Sequence, residues 1–152
     1  MKKYLTLWFA LLLNGAIAQK MPRPYKCGFD DRDTAQLRKT FETNLIYWDV
    51  KKGETVASIG AQNGNLEARL AAFIDSVDWT LQDIDSSCFN KIEFDKVFNY
   101  YEKLSGKKIT GTFNLVLGTE TNSNLKTNNY DRVLLINVYH ELKKKQLMLQ
   151  EI

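Results

Sequence analysis

Residues 55–73 constrain the chain more than any other stretch, because the hydrophobic rhythm changes there across one short turn. Residues 55–59 (TVASI) form an apolar run of strand length, and residues 60–65 (GAQNGN) form a tight turn with two glycines. Leu66, Leu70 and Phe73 then recur at helical spacing. The alternation continues downstream. Residues 77–81 (VDWTL) read as a second strand ending at Asp83, and Ser86 or Ser87 caps a helix running to Leu104 through Phe89, Ile92, Val97 and Tyr101, stopped by Gly106. Residues 113–117 (FNLVL) are a third strand, 118–129 a polar loop rich in Thr and Asn, and 132–138 (RVLLINV) a fourth strand, with a last helix starting near His140. Ahead of these, Leu37, Phe41 and Leu45 predict a helix over 34–47, capped by Asp33 or Thr34. Strands separated by helices of this length are joined by crossovers. The expectation is therefore an α/β fold on a doubly wound parallel sheet of about four strands, with helices on both faces. The non-alternating apolar run 133–136 suits a strand covered on both sides.

Residues 1–18 stand apart from this pattern. Lys2 and Lys3 give a positive start, 5–13 (LTLWFALLL) an apolar stretch, and 14–18 (NGAIA) a small-residue end with Ala16 and Ala18 flanking Ile17. These are the features of a cleavable export signal, cut before Gln19, with no Cys following to mark a lipoprotein. The apolar run is shorter than the roughly 20 residues a spanning helix needs, so no membrane segment is expected after cleavage and the mature chain is expected in the periplasm or secreted. Residues 19–33 carry both prolines and several aspartates with no apolar period, an extended lead-in, and 34–152 are enough for one domain. The chain has 21 Lys and Arg against 18 Asp and Glu, a net charge of +3 that includes Lys2 and Lys3. The mature surface is thus nearly balanced, and no nucleic-acid partner is expected. Cys27 and Cys88 suit an oxidising compartment, where they could pair, but two cysteines make no disulfide scaffold and free thiols are the default reading.

In doubly wound sheets ligands sit beyond the C-terminal strand ends, where glycines let the backbone approach and a following helix offers free N–H groups. Here that place is the 60–65 turn, bracketed by Gly60 and Gly64. Asp83, at the end of the second strand, is spaced from Gly64 so that one carboxylate accepts two ribose hydroxyls.

With these residues in view, VKKGETVASIGAQNGNLEARLA resembles the first motif of class I S-adenosylmethionine-dependent methyltransferases. WTLQDIDSS is similar to their acidic second-strand motif, LVLGTE to the end of their third strand, and NYDRVLLINVYHEL to their fourth strand and following helix. The resemblance covers roughly residues 45–152 and implies a Rossmann-like sheet of order 3-2-1-4 with S-adenosylmethionine as cofactor. It implies that Gly60 and Gly64 line the methionine and ribose side, Asp83 holds the ribose, Ile84 flanks adenine, Thr119 or Glu120 meets the adenine edge, and Asn137 lies near the methyl group. Two positions depart from the family pattern. Ser58 replaces an acidic residue, losing an anionic acceptor suited to the amino group of the methionine moiety. Gln62 replaces the middle glycine, where a positive φ is poorly tolerated by a side chain. Nor do Gly60, Gln62 and Asn65 supply the three glycines of a nicotinamide-binding fingerprint.

His140, the only histidine, stands near the expected site mouth as a candidate base, although a structural hydrogen-bonding role is the commoner one. Asn137 is not followed by Pro-Pro and an aromatic residue, so the signature of amino-group methylation on nucleic acid or protein is missing. Lys143 to Lys145 read as a solvated helix face, and Trp48, Trp79, Tyr100 and Tyr101 as packing residues. No metal site is assigned. The family's sheet has seven strands, so the resemblance implies a domain truncated after the fourth strand and its helix, whose exposed edge would be either an aggregation hazard or a docking place for another chain. The expected function is methyl transfer by in-line attack aided by positioning, with the acceptor open. The alternative is a non-catalytic binding module or inactive fragment.

Overall fold

The computed structural model describes Cys27 and residues 31–150. The expected export signal and most of the lead-in lie outside the described residues. Four strands, β1 Thr55–Ile59, β2 Val77–Asp83, β3 Gly111–Leu117 and β4 Arg132–Leu135, pair in parallel in the order β3-β2-β1-β4. This is the Rossmann-like α/β sheet expected. Ile59 lies opposite both Gln82 and Leu135, and Asp83 opposite Leu117, so all four strands end along one edge.

The helices are α1 Thr34–Thr40, α2 Asn65–Ala71, α3 Lys91–Ser105 and α4 Lys145–Leu149. Strand alternation sends Val56, Val77, Trp79 and Leu81 to one face, where they bury against Leu70 of α2 and Phe94 of α3. Ala57 and Ile59 point to the other face, against Leu125 of the polar loop with Val138 and Leu149 packed around them. Trp79, Tyr100 and Tyr101 are core residues, as expected, and Trp48 packs on the first cluster.

Several boundaries differ from the sequence reading, each for a local reason. Asp33 caps α1 by accepting from Gln36 N–H at 2.8 Å. The α-helix, however, ends at Thr40, widens to a π-turn over Phe41–Leu45 and tightens to a 3-10 turn over Ile46–Trp48. Across that widened turn Phe41 stacks on Phe73 with ring centres 4.4 Å apart. Neither Ser86 nor Ser87 caps α3; Asn90 does, accepting from Glu93 N–H at 3.1 Å, while Ser87 N–H turns back to the Asp85 carboxylate. Phe89 therefore precedes the helix and Ile92 is exposed, while Gly106 (φ 72) ends it as expected. The fourth strand stops at Leu135 rather than residue 138, because Asn137 adopts a left-handed conformation (φ 56). The chain then closes a turn through Glu141 N–H to Val138 O, so no helix starts near His140, and α4 begins only at Lys145.

The cysteines are not free thiols. Cys27 and Cys88 form a disulfide with Cα atoms 5.7 Å apart, joining Cys27 to the loop between β2 and α3.

Candidate ligand cleft

A cleft of about 600 Å³ opens at the C-terminal ends of β1 and β2, between the 60–65 turn, the start of α2 and residues 136–143. Ser58, Gly60, Gln62, Asp83, Ile84, Glu120 and Asn137 border it; Gly64, Thr119 and His140 do not.

The turn is fixed by its backbone. Gly60 N–H and Ala61 N–H both donate to Gln82 O, at 2.8 and 3.0 Å, tying the end of β1 to β2. Gly60 (φ 74) leaves no room for a side chain, since a Cβ there would collide with Val138. Gly64 (φ 73) turns inward instead. A Cβ there would meet Phe94 Cδ2 at 2.8 Å and Leu81 Cδ1 at 3.0 Å, so its hydrogen serves core packing beneath the turn. Gln62 does take the positive φ that its substitution for glycine made costly (φ 50), and its N–H donates to Asp83 Oδ2 at 2.8 Å.

That bond places Asp83 on the same side of the sheet as the turn. The carboxylate is buried and already employed: Oδ1 accepts from Ile84 N–H at 2.7 Å and Asp85 N–H at 2.9 Å, and Oδ2 from Gln62 N–H. A carboxylate has roughly four lone-pair positions, so about one stays available, fewer than the two ribose contacts read from spacing. Asp85 borders the cleft as a second, exposed carboxylate. Hydrogen bonds from Ser87 hold its carboxyl below the usual carboxylate range. Ile84 presents a half-exposed apolar side chain beside it.

Beneath the turn lies a residue that the sequence reading missed. Glu67 of α2 is fully buried, with Oε1 2.5 Å from Ser58 Oγ and Oε2 without a hydrogen-bond partner. Burial pushes its carboxyl up to about 7; the bond from Ser58 opposes the shift and the nearby Asp83 adds to it. The available signal was an acid within the apolar face of a short helix. Gln82 is also buried beside the cleft, and both its amide atoms lack partners.

At the rim, Lys143 donates to Glu120 Oε1 at 2.6 Å, so this lysine spans two loops rather than lying on a helix face. Thr119 Oγ1 accepts from Asn122 N–H at 3.0 Å and closes a loop outside the cleft. His140 is an exposed side chain 3.6 Å from Glu141 and away from the lining. On the opposite flank, the Asn63 amide donates to the Cys27 carbonyl, joining the turn to the disulfide-tethered lead-in. Among the described residues no group of three or more His, Cys, Asp or Glu could hold a metal ion, and no helix is long and apolar enough to cross a membrane.

Solved structures share this architecture. A SAM-dependent methyltransferase from Aquifex aeolicus is 18% identical with a TM-score of 0.52, and the match covers 82% of this chain and 65% of that one. Coclaurine N-methyltransferase bound to N-methylheliamine and SAH is 18% identical with a TM-score of 0.51, covering 82% of this chain and 35% of that one. The likeness shows a common fold, and the chain spans 65% and 35% of these two proteins' lengths. A scan against protein-family models finds no match, and neither does a search of the curated proteins.

Proposed function

We propose that the cleft binds S-adenosylmethionine and that the chain is a methyltransferase-like domain. The observation that carries this reading is the bond from Gln62 N–H to Asp83 Oδ2, which joins the glycine turn and the acid at the tip of β2 into one surface. The residues fit the group. The backbone of Gly60, Ala61 and Gln62 borders the cleft, and Glu67 Oε2 is a buried acceptor without a donor.

The remaining acceptor position of Asp83, together with Asp85, takes the ribose hydroxyls. Ile84 covers one face of adenine, and Glu120 meets the adenine edge from the rim beside Lys143. Asn137 stands near the methyl end, held by its left-handed turn. When bound, S-adenosylmethionine supplies an electrophilic methyl group, and the chain contributes chiefly position and water exclusion. We also read the chain as exported, a reading supported by the Cys27–Cys88 bond, since disulfides persist in oxidising compartments.

A non-catalytic binding module is the second reading, favoured by the place of His140 outside the cleft. It shares the binding prediction and differs in transferring no methyl group. Calorimetric titration of the oxidised chain with S-adenosylmethionine and S-adenosylhomocysteine tests both. Asp85→Asn keeps an acceptor for Ser87 N–H while removing the charge, and is expected to weaken binding about fivefold, or ~1 kcal/mol. Failure of the folded chain to bind either compound would overturn the cofactor reading.

A further inference from the structure

The floor of the cleft contains a carboxyl group that the fold does not need. Glu67 shares its buried helix face with Ala68, Leu70 and Ala71, and an apolar side chain there would avoid the cost of burying a half-satisfied acid. No cation within the described residues offsets that cost. Ser58 on β1 donates to Oε1, and the charged group facing Glu67 from β2 is Asp83, an acid that makes ionisation harder. On α2 itself, Arg69 is engaged 3.0 Å from Asp31. The other charges bordering the cleft are Asp85, Glu120, Glu141 and Lys143, and the single cation among them lies on Glu120. Among the described residues, the cleft is acidic at its floor and holds no cation there.

We propose that Glu67 is the anionic anchor of the cleft: Ser58 fixes one carboxyl oxygen, and the other takes the cationic nitrogen of a ligand. Resting on the cofactor reading above, that nitrogen is the amino group of the methionine moiety. The carboxylate lost from β1 at position 58 is thereby supplied by α2 from across the turn, and Ser58 becomes the donor that orients it. A charged donor suits this place better than a neutral one, because charge-assisted bonds are about twice as strong as neutral ones and buried charges are poorly screened.

Proton release follows. With its carboxyl pushed up to about 7 by burial, Glu67 is mostly neutral in the ligand-free cleft below that pH. An ammonium at Oε2 favours the ionised form, so the proton leaves to solvent as the ligand enters. Affinity therefore rises with pH up to about 7 and levels off above it.

The test is calorimetric titration of the oxidised chain with S-adenosylhomocysteine in two buffers of different ionisation enthalpy. The second probe is 5′-methylthioadenosine, which has the nucleoside but no amino group. Release of most of a proton at pH 6 and binding up to about tenfold tighter at pH 8 than at pH 6 are expected for the first probe, with no release for the second. Glu67→Gln, near in shape, is expected to abolish the release and to bind the first probe at least about tenfold more weakly at pH 8. Its profile also serves as the background for Asp83, Asp85, Glu120, Glu141, Lys143 and His140. Binding by the unaltered chain without proton release, or with the pH profile of Glu67→Gln, overturns this proposal and leaves the cofactor reading standing. If 5′-methylthioadenosine and S-adenosylhomocysteine both fail to bind the folded chain, the cofactor reading falls and this one falls with it.

Discussion

Gln62 and Gly60 share a left-handed backbone, with φ of 50 and 74, and a side chain at Gly60 would in addition run into Val138. A left-handed residue with a side chain costs roughly 1–2 kcal/mol, and glycine gives part of that back through its freer unfolded chain. Gln62→Gly is therefore expected to raise stability by about 0.5–1 kcal/mol in urea denaturation. Gly60→Ala should lower it by about 2 kcal/mol or more, because the new methyl runs into Val138 as well as into an unfavourable φ. Equal effects from the two substitutions would contradict the turn geometry. The strain at Gln62 was legible in the sequence as a missing glycine. The inward aim of Gly64 was not, because only the packed positions of Phe94 and Leu81 show which way its hydrogen points.

Among the elements, β1 matched its reading residue for residue, because TVASI is bounded by a polar approach and a glycine turn. Ends decided by side-chain competition were harder to place. Ser86, Ser87 and Asn90 are all capping residue types, and what selects among them is the turn that Asp85 makes with Ser87, which delays the helix. Asn90→Ala should cost about 1 kcal/mol of stability, whereas Ser86→Ala should stay within about 0.5 kcal/mol. Thermal denaturation of the two variants checks this, and the reverse order would return the cap to the serines. The fourth strand was read too long for a related reason: the apolar run extends to residue 138, but Asn137 turns left-handed, and chain direction rather than hydrophobicity ended the strand.

For the molecule as a whole, the disulfide is the largest departure from the sequence reading. It closes a loop spanning a sequence separation of 61, from Cys27 to the loop between β2 and α3. The lead-in is also held by Asn63 at the Cys27 carbonyl, by Tyr100 Oη donating to Asp31 O at 2.6 Å, and by Arg69 against Asp31. Reduction is expected to lower stability by about 2–4 kcal/mol, since a cross-link over a loop of this size removes chain entropy from the unfolded state. Denaturation with and without reductant measures this. Alkylation followed by mass measurement should find no reactive thiol before reduction and two after it. Reactive thiols in the folded, unreduced chain would return the cysteines to the free state expected from their number.

Read alone, the sequence determined the parallel α/β sheet, its strand order by resemblance, and the meeting of a glycine turn with Asp83, because hydrophobic period, strand length and turn chemistry are local properties. Only the tertiary structure decided that three backbone N–H groups already occupy most of Asp83, that Cys27 reaches Cys88, and that a buried glutamate on α2 lies against Ser58. Those outcomes depend on how residues distant in the chain compete for one space, which no local pattern encodes.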